Sequence, residues 1–531
     1  MAANAERILL RLKALESARA PFEDLWNDVG KYVLPMVRDT LSKGSKRTEY
    51  MFDSTPTRAS HRLASALNAM LTPRSSKWLR GMRKVGTDDD MEVIDWTAKV
   101  SELIYERFNL SNFHIRAHEM YLYYGTIGTP VMYLDEDFWF DVIAIWDCYI
   151  DEDERGDVDT LFRKFKTSAR VAEQKFGAEN LSDSIKEALD KKPEEEFEFL
   201  HAVFPRDDMK MSVGPEKFPY ASVWMESKTK HIISEGGFWE FPFFVPRWMK
   251  YTGEMYARTP AIEAMSDVKN LQSMGKANLK AAGKIIDPPL DIEENSYLNP
   301  ICTSAGALNF RVTGSNPLIP LYPITQLPVS LEMQNQMRKA VNESFYYQQL
   351  SLIDNDRMTA TEVMQRTEEN MRILGPTYDR LEREFLVPLV KRAYGILSRQ
   401  GVIPPPPPQL TGEPFTYESP LARAQRLNEL SAINQGIAIA TPIIQLKPDV
   451  VDVIDLDNIM RQIFILAGTS PEIVRDEDTV MQVRQERAQQ QAEMQAAAMA
   501  EQLAKAGKDA SQADPNAGLL QSAIGMFGGG Q

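Results

Sequence analysis

Cysteine is almost missing from this chain: Cys148 and Cys302 are the only two among 531 residues. Two distant thiols cannot make a disulfide framework, and a reduced, cytosolic-type protein is expected. Histidine is scarce as well, at five, which leaves little material for imidazole metal sites. There is no glycine-rich loop ending in Gly-Lys-Ser/Thr, no Cys-x-x-Cys, no His-Glu-x-x-His and no Gly-x-Ser-x-Gly, so the common nucleotide, redox, zinc and serine-nucleophile signatures are absent. Positive charge is in deficit: 60 Lys and Arg against 75 Asp and Glu leave a formal charge of −15. That excludes a protein that grips nucleic acid with a broad basic surface. It does not exclude one past which nucleic acid must slide. Long apolar runs are missing too. Leu430 to Leu446 is uncharged but broken by Asn434, Gln435, Gly436 and Pro442, a poor membrane span. The first fifteen residues carry Glu6, Arg7, Arg11 and Lys13 and read as an amphipathic helix, not a signal peptide. A soluble, non-secreted protein is expected.

What is present is a globular composition, 43% hydrophobic and 25% charged, in a chain too long for one ordinary core. Helical spacing marks residues 5 to 34 (Ile8, Leu12, Leu15, then Phe22, Trp26, Val29, Val33), with Pro21 expected to divide them into two helices. A helix from Ser54-Thr55-Pro56, closed at Thr72-Pro73, an apolar anchor at Trp78-Leu79 and a helix over 91 to 124 come next. From Gly125 the pattern becomes short strands: Val131 to Leu134, Phe138 to Ile145, Cys148 to Ile150 and Thr160 to Phe165. Helix returns over 168 to 192. A further small sheet is then expected from Phe197 to Phe204, Ala221 to Met225 and His231 to Glu235. Beyond a polyproline connector, Pro404 to Pro408, helices are expected over 419 to 440, 455 to 467 and Thr479 to Lys505, and a mobile tail over 508 to 531.

Candidate chemistry is thin. His114 and His118 share a helical face with Glu119 nearby, but no third metal ligand is evident, so partly buried helix residues are expected. Asp151, Asp153, Gly156 and Asp159 imitate the start of a calcium loop, yet Arg155 stands where a ligand is needed and Phe162 where the closing glutamate belongs. A solvated hairpin turn is the better reading. Asp88-Asp89-Asp90 suits a helix start. Arg38 to Arg47, with Lys43 and Lys46, reads as a solvated loop, with a contact for nucleic acid or an acidic partner as the alternative. No metal, no cofactor and no catalytic site are expected.

Residues 254 to 400 organise the rest. Thr259 and Pro260 make a helix start, an N-cap followed by proline at the first helical position, and Asp287-Pro288-Pro289 ends that helix near Ile286. A second helix starts near Pro328 and runs to about Leu350. A polar loop, Leu352 to Met358, separates it from a third helix opened by the capping box Thr359-Ala360-Thr361-Glu362. That helix carries the stripe Val363, Met371, Leu374, Tyr378, Leu381, Phe385, Leu389 and Leu397, interrupted at Gly375-Pro376 and Pro388. The insertion between the first two helices has its apolar residues scattered among Pro300, Gly306, Gly314, Pro317 and Pro320, too few to core itself.

In this order and spacing, several weak motifs together resemble the portal, or head-to-tail connector, proteins of short-tailed (podovirus-type) bacteriophages. They are the Trp26 to Pro35 helix, Ser54 to Leu71 with Pro73 and Trp78-Leu79, Gly253 to Ala264, Asp287 to Leu290, Met358 to Val363, Leu374-Gly375-Pro376 and Ser419 to Gln425. The resemblance implies a mainly α subunit with an α+β wing. Its parts would be an N-terminal wing over 1–253, stem helices over 254–286 and 327–350, and a clip over 287–326. A tunnel loop over 351–358, a long kinked helix with the C-terminal wing over 359–470, and a crown helix with mobile tail over 471–531 complete it. It implies a non-enzymatic dodecameric ring at one capsid vertex, in the virion and earlier in the host cytoplasm, through which double-stranded DNA is packaged and ejected without sequence preference. Implied partners are the terminase large subunit, which carries the packaging ATPase, then a tail adaptor, the major capsid and scaffolding proteins, and internal core or ejection proteins; no membrane is implied. Asp354, Asn355, Asp356, Arg357 and Met358 would face the DNA, with Arg357 contacting phosphate or pairing with Asp354 or Asp356. The alternative is a non-viral helical scaffolding or interaction protein.

Overall fold

A computed structural model describes residues 2–35, 49–74, 78–81, 91–207, 217–304, 306–320, 327–347, 375–408, 415–417, 430, 432–442, 447, 455–467 and 477–513. The chain divides into two compact units, 1–88 with 96–429, and 89–95 with 430–531. Helix and antiparallel sheet are mixed throughout the first.

Helix α1 (Ala2–Tyr32) is continuous through Pro21, where the sequence leads one to expect two helices. The reason is that its two halves bury in line on two cores. Ala5, Ile8, Leu12 and Leu15 pack on a sheet with Tyr149, Phe162 and Leu200. Phe22, Trp26, Val29 and Val33 enter the main core. This packing offsets the single hydrogen bond that a proline nitrogen cannot make. Arg19, between the halves, donates from Nη1 to the carbonyls of Trp146 at 2.7 Å and Cys148 at 3.0 Å and lies 3.9 Å over the Tyr149 ring.

The sheet under α1 is a five-stranded antiparallel meander of β4 (Cys148–Glu152), β5 (Val158–Ser168), β6 (Glu196–Pro205), β7 (Tyr220–Glu226) and β8 (Ile232–Phe238). Two strands expected with the earlier group, β4 and β5, thus join the later ones in one sheet, because β5 pairs with β6 over eight residues from Leu161↔Val203 to Ser168↔Glu196. Between them the chain forms two short helices, α5 (Ala169–Phe176) and α6 (Asp183–Lys191), instead of one over 168 to 192. Gly177, at φ +79, ends the first in a left-handed residue. Strand alternation serves both faces: Leu200, Ala202 and Phe204 meet α1, while Phe199 meets Ala169, Ala172 and Ile185.

The main core gathers α2 (Thr55–Leu71), α3 (Met91–Leu110) and α4 (Phe113–Thr126) with a three-stranded sheet of β2 (Val131–Leu134), β3 (Phe140–Ile143) and β9 (Phe243–Phe244), in the order β3-β2-β9. Trp78, fully buried, stacks on Phe108 at 5.8 Å, as the anchor reading expects. The next residues form β1 (Leu79–Gly81), paired with β12 (Phe415–Tyr417) more than three hundred residues away, which local sequence does not reveal. In the third long helix the expected stripe is buried at Tyr378, Leu381, Phe385, Leu389 and Leu397. Pro388 does not break it. A π-helical turn, Glu382–Leu386, precedes the helix Val387–Arg399 and absorbs the missing N–H. In the second unit, the helices Leu456–Ala467 and Glu477–Ala513 are joined by Arg484 to Asp457 at 2.7 Å.

Candidate functional site

The paired helices that carry the insertion begin at a well-built anchor. Thr259 is fully buried; its hydroxyl accepts from the N–H of Ile262 at 3.2 Å and donates to the carbonyl of Thr126 at 2.8 Å. The N-cap expected from sequence is therefore also a tie to the end of α4. Gly128, at φ +94, lets the chain pass so close that a Cβ there would lie 2.6 Å from the Thr259 methyl. Helix α7 (Pro260–Glu263) closes after one turn at Ala264, and α8 (Met265–Ile286) then runs to Asp287. The expected single helix is thus interrupted at its base. Helix α9 (Leu327–Ser344) returns alongside α8 and ends before the expected Leu350.

Between them lies a polar spine. Gln272 accepts from the backbone N–H of Phe52 at 2.7 Å and of Asp53 at 2.8 Å, and returns a donor to the Asp53 carbonyl at 2.8 Å. The Asp53 carboxylate, 8% exposed, accepts from the Thr55 hydroxyl at 2.6 Å, Gln334 at 3.2 Å and Arg338 at 2.8 Å. Burial alone would raise its pKa, but the hydrogen bonds from Thr55 and Arg338 and the Arg338 charge leave it below the usual carboxylate value. Farther along, Asn278 donates to Gln334 at 2.9 Å and accepts from Ser330. Gly275 lets the loop at Phe52 approach, with a Cβ contact of 3.1 Å. Satisfied polar groups of this kind fix register between two helices more sharply than apolar contact does.

The insertion past α8 has little inside. β10 (Leu290–Asp291) pairs with β11 (Ile319–Pro320), and Tyr297 bridges Arg311. The Asn309 side chain exchanges two hydrogen bonds of 2.8 Å with the backbone of Cys302. Among its described residues only Ser296 is buried. Leu298, Leu308 and Phe310 stand exposed, Leu308 by 83%. The expectation of a segment without its own core is met.

The other sequence candidates disperse. His114 meets Asn109 at 3.0 Å, His118 meets Ser65 at 3.3 Å, and Glu119 pairs with Arg116 at 2.7 Å. No group of three His, Cys, Asp or Glu fit to hold a metal occurs among the described residues. Asp153 closes the β4–β5 turn by accepting from the N–H of Arg155 at 2.8 Å and of Asp157 at 2.9 Å, while Asp151 turns to Arg11 and Glu152 to Arg247 and Lys250. The carboxylates of the would-be calcium loop thus diverge. Cys148 is buried and Cys302 exposed, both free. No described helix is long and apolar enough to cross a membrane. Asp354, Asn355, Asp356, Arg357 and Met358, the capping box at Thr359, the Asp88 to Asp90 run, the basic segment Arg38 to Arg47, and residues 419–429 and 514–531 lie outside the described residues.

Sequence reasoning missed a buried ion cluster. Arg247, 1% exposed, reaches Glu384 at 2.6 Å, the carbonyl of Gly156 at 2.7 Å, and Glu152. Arg392 and Arg399 form a second cluster with Glu136 and Glu240. Their partners are separated by 91 to 263 residues, so no local signal could have found them.

Residues 5–474 match the family described as bacteriophage head to tail connecting protein. The chain is 29% identical over 544 aligned positions to the portal protein of Salmonella phage epsilon15, covering 96% of this chain and 97% of that protein. It is 28% identical over 529 positions to the probable portal protein of Bordetella phage BPP-1, covering 94% and 95%. These similarities span both units and the insertion together, which favours a viral connector over a non-viral scaffold. The family description names a structural connection and no reaction. The chain belongs to the bacteriophage head to tail connecting protein family.

Proposed function

We propose that this chain is a portal subunit, assembling into a dodecameric ring at one capsid vertex of the virion. Genome DNA enters and leaves through the ring's channel. The observation that carries the reading is the family match over nearly the whole chain, and the insertion on α8 and α9 supports it physically. A segment that buries almost nothing of its own, yet holds Leu298, Leu308 and Phe310 outward, is stable only against neighbours. In this reading α8 and α9 are the stem, 287–326 is the clip, 1–253 and 359–470 form the wing, and 471–531 is the crown. The clip offers the docking surface first to the terminase large subunit and later to a tail adaptor. The wing meets capsid and scaffolding proteins. Residues 351–358 face the channel, and Arg357 is its candidate phosphate contact.

Electron microscopy of the purified full chain should show rings with a central hole; a monomer or dimer at all concentrations would refute the portal reading. Replacing 288–320 by a short Gly-Ser linker should abolish binding of the packaging motor while the wing still folds. Retained binding would remove the clip from that role. Arg357→Glu should alter packaging or retention of DNA in assembled rings, and unchanged packaging would remove Arg357 from the channel.

A further inference from the structure

Helix α8 carries four lysines, Lys269, Lys276, Lys280 and Lys284, and one acid, Asp267, in a chain whose overall balance is −15. At 3.6 residues per turn these lysines fall within about 80° of arc. Their mean direction lies roughly 125° from that of Val268, Leu271, Gln272 and Gly275, the residues that α8 buries. Asp267 points about 140° away from them. The row is therefore a single-sign stripe on the outward face. Lys269 is taken at the base by Asp28 at 2.7 Å. Lys276 and Lys280 are exposed and make no ion pair among the described residues, Lys276 only passing 5.6 Å from the Phe52 ring. Lys284 continues the line. Elsewhere among the described residues, Arg392, Arg399, Lys250 and Lys164 are each held by carboxylates. Helix α9 offers no such face: it mixes Glu332, Arg338, Lys339 and Glu343, and Arg338 is tied to Asp53.

We infer that the Lys276–Lys280 face of α8 is the surface past which the duplex moves, a sparse phosphate track on an otherwise acidic subunit. The inference rests on the portal reading and assigns a face to it. Lysines at i and i+4 stand about 6 Å apart along the helix axis, while phosphates of one strand advance by about 3.4 Å. A lysine leaving one phosphate therefore has another within a short reach. The ammonium is a flexible point charge without the bidentate fork of arginine, which suits contacts that form and break during sliding. Sparse cations weaken the grip that a denser row would impose through counterion release.

The test compares full-length wild-type rings with the exposed-site variants K276Q/K280Q and K276R/K280R. Binding of a short mixed-sequence DNA duplex is followed by fluorescence anisotropy as salt is raised. The glutamine variant should form normal rings but bind more weakly at low salt. Its slope of log affinity against log salt should fall by about 0.9 for each phosphate that is no longer neutralised. The arginine variant should keep the wild-type slope. An unchanged slope in the glutamine variant would overturn the assignment of this face. Loss of rings in the glutamine variant alone would do the same, by showing that the lysines pair with acidic groups of a neighbouring copy. If the wild type forms no rings, the portal reading itself fails, a result distinct from either.

Discussion

Replacing Arg247 by Met tests the central ion cluster most directly. Arg247 stands just after β9 and binds Glu384, in the π-helical turn, through Nη2 at 2.6 Å and through its own backbone N–H at 2.7 Å. It also reaches Glu152 and the Gly156 carbonyl on the β4–β5 hairpin. The side chain thus joins three parts of the first unit, and its removal leaves the Glu384 carboxylate buried without its hydrogen-bonded counter-charge, with only the Arg380 charge still acting on it. Breaking a buried pair from one side costs about 3–5 kcal/mol. Burial already raises the Glu384 pKa, with the hydrogen bonds and charge of Arg247 only partly opposing it. Without Arg247 it rises further. A carboxyl raised on folding lends stability below its unfolded pKa and loses it as pH climbs through the folded value. The loss in R247M should therefore be smaller at pH 5 than at pH 8, growing by up to about 1.4 kcal/mol per pH unit over the range in which the Glu384 carboxyl ionises. Urea unfolding at matched protein concentration, followed by tryptophan fluorescence, measures it; Trp248 packs against Tyr124 at 5.0 Å beside the site. Adding Glu384→Gln should recover part of the loss and flatten the pH dependence. An equal loss at both pH values, or no recovery in the double variant, would refute the reasoning.

Thr259→Val should cost about 1–2 kcal/mol by removing the cap at Ile262 and the bond to Thr126, and Thr259→Ser should restore most of it in the same unfolding assay. Gln272→Leu strips the acceptor from two backbone N–H groups at Phe52 and Asp53, at about 1–3 kcal/mol each, visible as an earlier urea midpoint. Thiol titration of the folded protein near neutral pH should count one reactive cysteine. Burial pushes the Cys148 thiol up to about 12, whereas Cys302 is exposed and hydrogen bonds from Ser304 lower its pKa. Two fast-reacting thiols would show that the core around Cys148 opens.

Residue order alone was enough for the local pieces and the family. Apolar spacing marked α1 and α2, and marked α3 and α4 only as one helix over 91 to 124; short β-rich runs marked β2 to β8, and Thr259-Pro260 with Asp287-Pro288-Pro289 bounded the helix that carries the insertion. The scattered apolar residues of 287–320 announced a segment with no core, because a core needs contiguous apolar faces and none is there. These features depend on neighbours within a few residues, so they can be read from order alone. Long-range packing settled the rest. α1 runs through Pro21 because separate cores hold its halves, and β5 and β6 share one sheet because long-range pairing outweighs the helices between them. Pro388 is absorbed in a π-turn, and β1 finds β12 across most of the chain. The polar spine on Asp53 and the ion cluster on Arg247 join residues far apart in sequence. Burial gives such contacts their energy, and burial exists only once the chain has folded.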